Sequence, residues 1–99
     1  MIQIVWEFRV DPNKQREFEK HYGPEGTWVE LFCKDSAFGG TRLLRNHEDE
    51  GRYLTIDCWQ SLEAYEAFRV QYAREYQEID QRMEHLTASE TPVGVFEVL

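Results

Sequence analysis

An unbroken stripe of apolar side chains toward the end of the chain constrains its fold most strongly. The members follow one another at intervals of three or four residues, the spacing of one helix face: Tyr65, Phe68, Tyr72, Tyr76, Ile79, Met83 and Leu86. A straight helix over residues 62–87, which Ser61 can cap, would be about 39 Å long. A domain the size of this chain, 99 residues, has a radius of gyration of only about 13 Å. We therefore expect the helix to kink or to project past its neighbours.

Alternation of apolar and polar side chains predicts the strands. The side chains of residues 1–10 alternate in this way, and one face of the predicted strand carries Ile2, Ile4, Trp6, Phe8 and Val10. Residues 52–59 also alternate, and with a short strand over residues 41–46 they form a hairpin. On that strand we expect one face to carry Leu54, Ile56 and Cys58, and the other to carry Tyr53, Thr55, Asp57 and Trp59. Residues 93–99 are expected to form the closing strand.

Breaks in the pattern bound two shorter helices. Asp11-Pro12 is a typical N-cap followed by a first helical residue, Gly23-Pro24 ends that helix, and Thr27 can cap a second one. The order is then strand, helix, strand, strand, helix, strand. It predicts an α+β protein with one domain over residues 1–99. The predicted fold is a ferredoxin-like βαββαβ sandwich, in which helices cover one face of a four-stranded antiparallel sheet.

The charge balance excludes several classes of partner. The net charge is −8, from 19 acidic and 11 basic residues, and no cluster of Lys and Arg would bind nucleic acid or an anionic membrane surface. No apolar run is long enough to span a bilayer and no secretory leader is visible, so we expect a cytoplasmic protein. Cys33 and Cys58 suit two reduced thiols. His47, in an acidic turn, lacks the paired spacing of a metal site, and no metal is predicted.

The sheet face turned away from the helices predicts a partner. With the assignment above, this face mixes charged side chains with apolar ones, and apolar patches of several hundred Å² usually mark an interface. We therefore expect a two-fold homodimer formed sheet to sheet. Its predicted interface contains Glu7, Arg9, Tyr53, Asp57, Trp59 and Val95. A solvated face with scattered apolar residues is the alternative.

Two stretches of the sequence resemble a known family. One is the strand that ends at Trp59 with the SLEAYEAF segment after it, and the other is YGPEGTWVELF, residues 22–32. With the βαββαβ order, they resemble the antibiotic-biosynthesis-monooxygenase-type (ABM) domain of the dimeric α+β barrel superfamily, over essentially the whole chain. The resemblance implies a dimer whose two sheets form a barrel, with a pocket between helices and sheet in each subunit. It also implies oxidation of aromatic polyketides or quinols by O₂, often without metal or flavin, so no cofactor is expected.

Other proteins of this kind degrade haem, using an Asn on the first strand and a Trp and a His on the long helix. The corresponding positions here hold Phe8, Phe68 and either Gln77 or Glu78. None of the three residue types is kept, so the resemblance does not extend to haem degradation.

The residues themselves suggest where a site would lie, since His21 stands beside a helix break and could reach a pocket. His21, because histidine is the side chain that acts most often as a general acid or base, and Tyr72 are candidate catalytic residues that would hold or remove a substrate proton. The side chains expected to line the pocket are aromatic and would suit a small flat ligand: Trp6, Phe8, Trp28, Phe32, Tyr65 and Phe68. Two plainer interpretations stay open, that the rings fill the core and that His21 only ends a helix. A second hypothesis is a non-catalytic dimer that binds a small ligand or is associated with stress.

Overall fold

One antiparallel sheet organises the chain. The computed structural model describes residues 1–99, and its strands are β1 (Ile2–Arg9), β2 (Phe38–Arg45), β3 (Arg52–Trp59) and β4 (Ser89–Glu97). They pair in the order β2-β3-β1-β4, and every pairing is antiparallel. The predicted ferredoxin-like α+β fold with a four-stranded sheet is confirmed.

The helices cover one face of this sheet. They are α1 (Gln15–Tyr22), α2 (Thr27–Phe32), α3 (Leu62–Gln71) and α4 (Ala73–Met83), with short 3-10 turns at Pro12–Lys14 and Glu84–Leu86. Of the two alternatives expected for the long helix, a kink or a projection, the structure shows the kink, because Tyr72 leaves helical geometry (φ −110°, ψ 29°) between α3 and α4. Ser61 caps α3 as predicted, since its Oγ accepts the backbone N–H of Ala64 at 3.1 Å. None of the helices has the length and apolarity that a membrane crossing requires.

Asp11 occupies the predicted N-cap position and Pro12 the first helical position. The Asp11 side chain makes no capping hydrogen bond, and the segment begins as a 3-10 turn in which the Asp11 backbone oxygen accepts the N–H of Lys14 at 2.9 Å. Two other predicted boundaries were wrong. Thr27 is the first residue of α2 rather than its cap. Strand β2 begins at Phe38 rather than at residue 41, because a register shift and the positive φ of Gly40 (116°) let the glycine pair enter the sheet.

The face assignment of β3 was also wrong. Residues directly opposite each other in an antiparallel pair share a face, and Trp6 lies opposite Thr55 while Phe8 lies opposite Tyr53. Tyr53 and Trp59 are therefore covered by the helices, with 1% and 0% of their surfaces exposed. Both faces of β3 are similarly apolar, so alternation alone could not tell which one lies beneath the helices.

This reversal changes the predicted interface. Tyr53, Asp57 and Trp59 lie on the helix side of the sheet and cannot belong to the outer face. Val95 is also on the helix side, because it lies opposite Ile4. Glu7 and Arg9 do lie on the outer face. That face is completed by side chains that the prediction had turned inward: Leu54, Ile56 and Cys58.

Aromatic rings form most of the core beneath α1 and α2. Phe18 is fully buried, stacks on Tyr22 with ring centroids 4.3 Å apart, and meets Tyr53 at 4.8 Å. Farther along the sheet, Trp59 packs against Phe68 at 4.9 Å. Between these two groups of rings the sheet carries shorter side chains, and an opening remains there.

Candidate active site

A cavity of about 280 Å³ lies between the helices and the covered face of the sheet. Ligand pockets usually measure about 300–1,000 Å³, so this one suits a small molecule. Its walls are largely aromatic, with Trp6 and Phe8 from β1, Tyr22 from α1, Trp28 and Phe32 from α2, Tyr65 from α3 and Tyr76 from α4. Its polar lining consists of Thr41, Thr55, Asp57, Arg69, Asp80 and Glu90.

Asp57 is the main polar group on the sheet side of the cavity. It lies opposite Ile4 on β1 and Thr41 on β2, so the register turns it toward the helices. Thr41 Oγ1 donates a hydrogen bond to Asp57 Oδ1 at 2.5 Å. Burial raises the Asp57 pKa to about 6, and the hydrogen bond from Thr41 opposes part of that rise. A carboxylate with a pKa near neutrality is well matched to accept a proton from a substrate.

Arg69 forms part of the opposite wall. Its guanidinium donates from Nη1 to the Tyr65 hydroxyl at 2.9 Å and lies over the Tyr76 ring, with Cζ 3.8 Å from the centroid. Burial raises the pKa of Tyr76 above its ordinary value, so that hydroxyl stays protonated at neutral pH. Arg69 belongs to α3 and Tyr76 to α4, so both helices contribute to this wall.

Two further carboxylates stand at the exposed rim of the cavity. Asp80 and Glu90 both line it and both are exposed to solvent. Partial burial and then the charge of Asp80 raise the pKa of Glu90, while Thr87 Oγ1 donates to Glu90 Oε1 at 3.2 Å. Neither carboxylate belongs to any of the ion pairs in the structure.

The structure places most of the expected pocket residues at the cavity wall. Those that line it are Trp6, Phe8, Trp28, Phe32 and Tyr65. Phe68 does not, because it is fully buried with its ring packed between Trp59 and Tyr72. The structure therefore places Phe68 in the core rather than at the cavity wall.

Neither candidate catalytic residue lines the cavity. His21 Nδ1 shares a hydrogen bond of 2.7 Å with Thr27 Oγ1, which ties the end of α1 to the start of α2. The turn between them is tight, because a Cβ at Gly26 would clash with the His21 carbonyl oxygen. Tyr72 occupies the α3–α4 break, its ring 5.0 Å from that of Phe68. Catalytic roles for these two residues remain predictions to which the geometry lends no support.

The polar lining is what sequence reasoning missed. Asp57 had been placed on the opposite face of the sheet, and Thr41 and Arg69 had no assigned role. One signal was available: Asp57 is a carboxylate within a strand whose neighbours on the same face are Thr55 and Trp59. A charged residue flanked in this way is costly to bury and is therefore a candidate functional group.

Most of the sequence matches one protein family. Residues 1–79 match the family model described as antibiotic biosynthesis monooxygenase. No protein with a curated description matches the sequence.

Several solved structures share the fold. A variant of SnoaB, a cofactor-independent oxygenase from Streptomyces nogalater, superimposes with a TM-score of 0.80 at 20% identity, over 98% of this chain and 91% of that chain. A Bordetella bronchiseptica protein provisionally described as an antibiotic biosynthesis monooxygenase gives 0.74 at 21% identity, over 99% and 96%. A conserved protein from Methanosarcina mazei gives 0.76 at 15% identity, over 99% and 92%. At these identities the likeness concerns the fold.

Proposed function

Since the chain belongs to the antibiotic biosynthesis monooxygenase family, we propose that it oxygenates a small, electron-rich aromatic compound with O₂ and without a bound cofactor. The observation that carries this proposal is Asp57, a carboxylate with a pKa of about 6 that lines an aromatic cavity. The cofactor-independent oxygenase SnoaB, which shares the fold, supports the same reaction class.

The proposed chemistry begins with proton removal. A flat ring held between Trp6, Trp28 and Tyr76 would direct a hydroxyl or an acidic C–H group toward Asp57, which takes the proton. The resulting anion is electron-rich enough to transfer electrons to O₂, and a C–O bond then forms. Loss of water breaks the O–O bond, so that an anthrone and O₂ give an anthraquinone and H₂O. The aromatic walls keep bulk water from the anion, which strengthens its interactions with the protein.

Within this proposal, Thr41 orients the base. Its hydrogen bond occupies Asp57 Oδ1, whereas Oδ2 accepts no hydrogen bond from the protein. The free oxygen is the one that would accept the substrate proton.

Oxygen uptake tests the proposal directly. Wild-type protein is incubated with a panel of naphthoquinols and anthrones, and its O₂ consumption is compared with that of Asp57→Asn, which keeps the shape and removes the base. We expect turnover by the wild type and a loss of about 10²–10⁴-fold in Asp57→Asn, the usual contribution of a general base. The matched control is Asp11→Asn, whose exposed side chain makes no capping hydrogen bond.

Two outcomes would overturn the proposal. Wild-type uptake equal to that of buffer across the panel would remove the enzymatic interpretation and favour a binding protein. Equal activity of wild type and Asp57→Asn would show that the base lies elsewhere, and His21→Ala would then be the next variant to measure.

We further propose that residues 1–99 form one domain of a dimeric α+β barrel, paired through the outer face of the sheet. Leu44 and Phe96 are 45% and 50% exposed, and by register they share this face with Ile56 on β3 and Val5 on β1. Such an apolar group supports an interface between copies. Sedimentation at micromolar concentration should give twice 11.9 kDa, and Ile56→Arg should give the monomer. A wild-type monomer would contradict this.

A further inference from the structure

The cavity carries more negative charge than its own cation neutralises. Its lining contains the carboxylates Asp57, Asp80 and Glu90 against a single guanidinium, that of Arg69. With all of them ionised, three negative charges and one positive charge leave a net charge of −2. None of these carboxylates lies within ion-pair distance of Arg69 or of any other cation.

The aromatic wall already holds a cation by its ring faces. Arg69 lies over Tyr76 with its Cζ 3.8 Å from the ring centroid and over Tyr65 at 5.8 Å. Both distances are within the range of about 6 Å in which a cation is attracted to a ring face. The wall is therefore electrostatically suited to positive charge, and other rings, including those of Trp6 and Trp28, remain without a cation.

The arrangement of the carboxylates does not suit a metal ion. No group of three or more His, Cys, Asp or Glu side chains is close enough together to coordinate one. Carboxylates that are spread around aromatic walls instead fit a larger organic cation, whose charge is met by ring faces and by acids at a distance.

We propose that the ligand of this cavity is an aromatic compound that carries a protonated amine, with Asp80 and Glu90 as the residues that select its positive charge. The ring fills the aromatic part of the cavity and the ammonium group lies at the rim, between these two acids. The inference rests on the proposed function for one point only, that this ligand is also the substrate. Burial and then the charge of Asp80 raise the pKa of Glu90, and a bound cation would relieve the repulsion between the two acids.

Three matched probes test the charge preference by titration calorimetry at low ionic strength. They are naphthylmethylammonium, naphthylmethanol and naphthoate, which share the ring system and differ in charge. We expect the ammonium to bind about tenfold more tightly than the alcohol and the carboxylate to bind most weakly. Glu90→Gln and Asp80→Asn should each reduce the preference by about two- to fivefold, which is the effect of one exposed charge pair.

The matched control is Glu97→Gln, which removes the same charge from the same strand outside the cavity lining. It should leave the preference unchanged. Naphthoate binding as tightly as the ammonium, an unchanged preference in the Asp80→Asn/Glu90→Gln double variant, an equal loss in Glu97→Gln, or no binding of any probe would each overturn the inference.

The outcome is separable from that of the proposed function, because calorimetry needs no turnover. A charge preference without O₂ uptake by any substrate would refute the oxygenase and retain the cation-binding cavity. Oxygen uptake without a charge preference would refute only the selectivity.

Discussion

Replacing Thr41 by valine removes the one hydrogen bond that Asp57 receives from the protein. The substitution keeps the shape of the side chain and takes away only the hydroxyl. Because that hydrogen bond favours the ionised carboxylate, whereas burial favours the protonated one, the pKa of Asp57 should rise in Thr41→Val.

The size of this rise in pKa follows from the strength of the lost hydrogen bond. A hydrogen bond to a charged group contributes about 1.5–3 kcal/mol, and about 1.4 kcal/mol corresponds to one pH unit in a pKa. Water that enters the cavity would replace part of the lost interaction. We therefore expect the pKa of Asp57, about 6 in the wild type, to rise by about one pH unit in Thr41→Val.

A ¹³C NMR titration of the side-chain carboxyl group measures this pKa without substrate or turnover. Thr55→Val is the matched control, since Thr55 lines the same cavity and also loses a hydroxyl but gives no hydrogen bond to Asp57. An unchanged or lowered pKa in Thr41→Val would refute the reasoning, as would an equal rise in Thr55→Val. If Asp57 is the base, the acidic limb of the activity profile should move upward by the same amount.

Three further predictions concern stability, each measured by urea unfolding. Folding raises the pKa of Asp57 from 3.8 to about 6. The resulting contribution to stability is present below pH 4 and is lost as the pH rises through 6. Asp57→Asn should therefore be more stable than the wild type at pH 8, by up to about 3 kcal/mol, and equally stable near pH 3. Phe18→Ala should cost about 3–5 kcal/mol, because the ring is fully buried; a cost below about 1 kcal/mol would contradict its place in the core. Ser61→Ala should cost about 1 kcal/mol through loss of the α3 cap, whereas Ser36→Ala, at an exposed residue outside the helices, should cost almost nothing.

The order of helices and strands could be predicted from the sequence because each element carries its own period. The alternation of residues 1–10 and the stripe from Tyr65 to Leu86 identify their elements independently of the rest of the chain. The length of the long helix predicted that it would either kink or project past its neighbours, and the structure shows a kink, at Tyr72. The face of a strand that lies beneath the helices cannot be predicted in this way, because it depends on how the strand pairs with its neighbours. With Leu54 and Ile56 on one face of β3 and rings on the other, hydrophobicity could not choose between the faces.

The same ambiguity concealed the candidate site. The whole face of β3 that carries Asp57 was assigned to a dimer interface. Asp57, which has the most perturbed environment of the carboxyl groups, was therefore not considered as a catalytic residue. His21 drew attention because it precedes a glycine-rich break, but that break is a tight turn in which its ring is bound to Thr27. The aromatic walls could be foreseen because bulky rings mark a core, whereas the cavity exists because Thr55 and Asp57 are shorter than the rings around them.

Isotope labelling during turnover tests the central claim most directly. An anthrone that wild-type protein consumes is oxidised under ¹⁸O₂ at pH 8, and the product is analysed by mass spectrometry. The account predicts one ¹⁸O atom per quinone, the second atom leaving as water, and enzymatic product formation about 10²–10⁴-fold slower in Asp57→Asn. A quinone labelled equally fast by wild type, Asp57→Asn and buffer would contradict it.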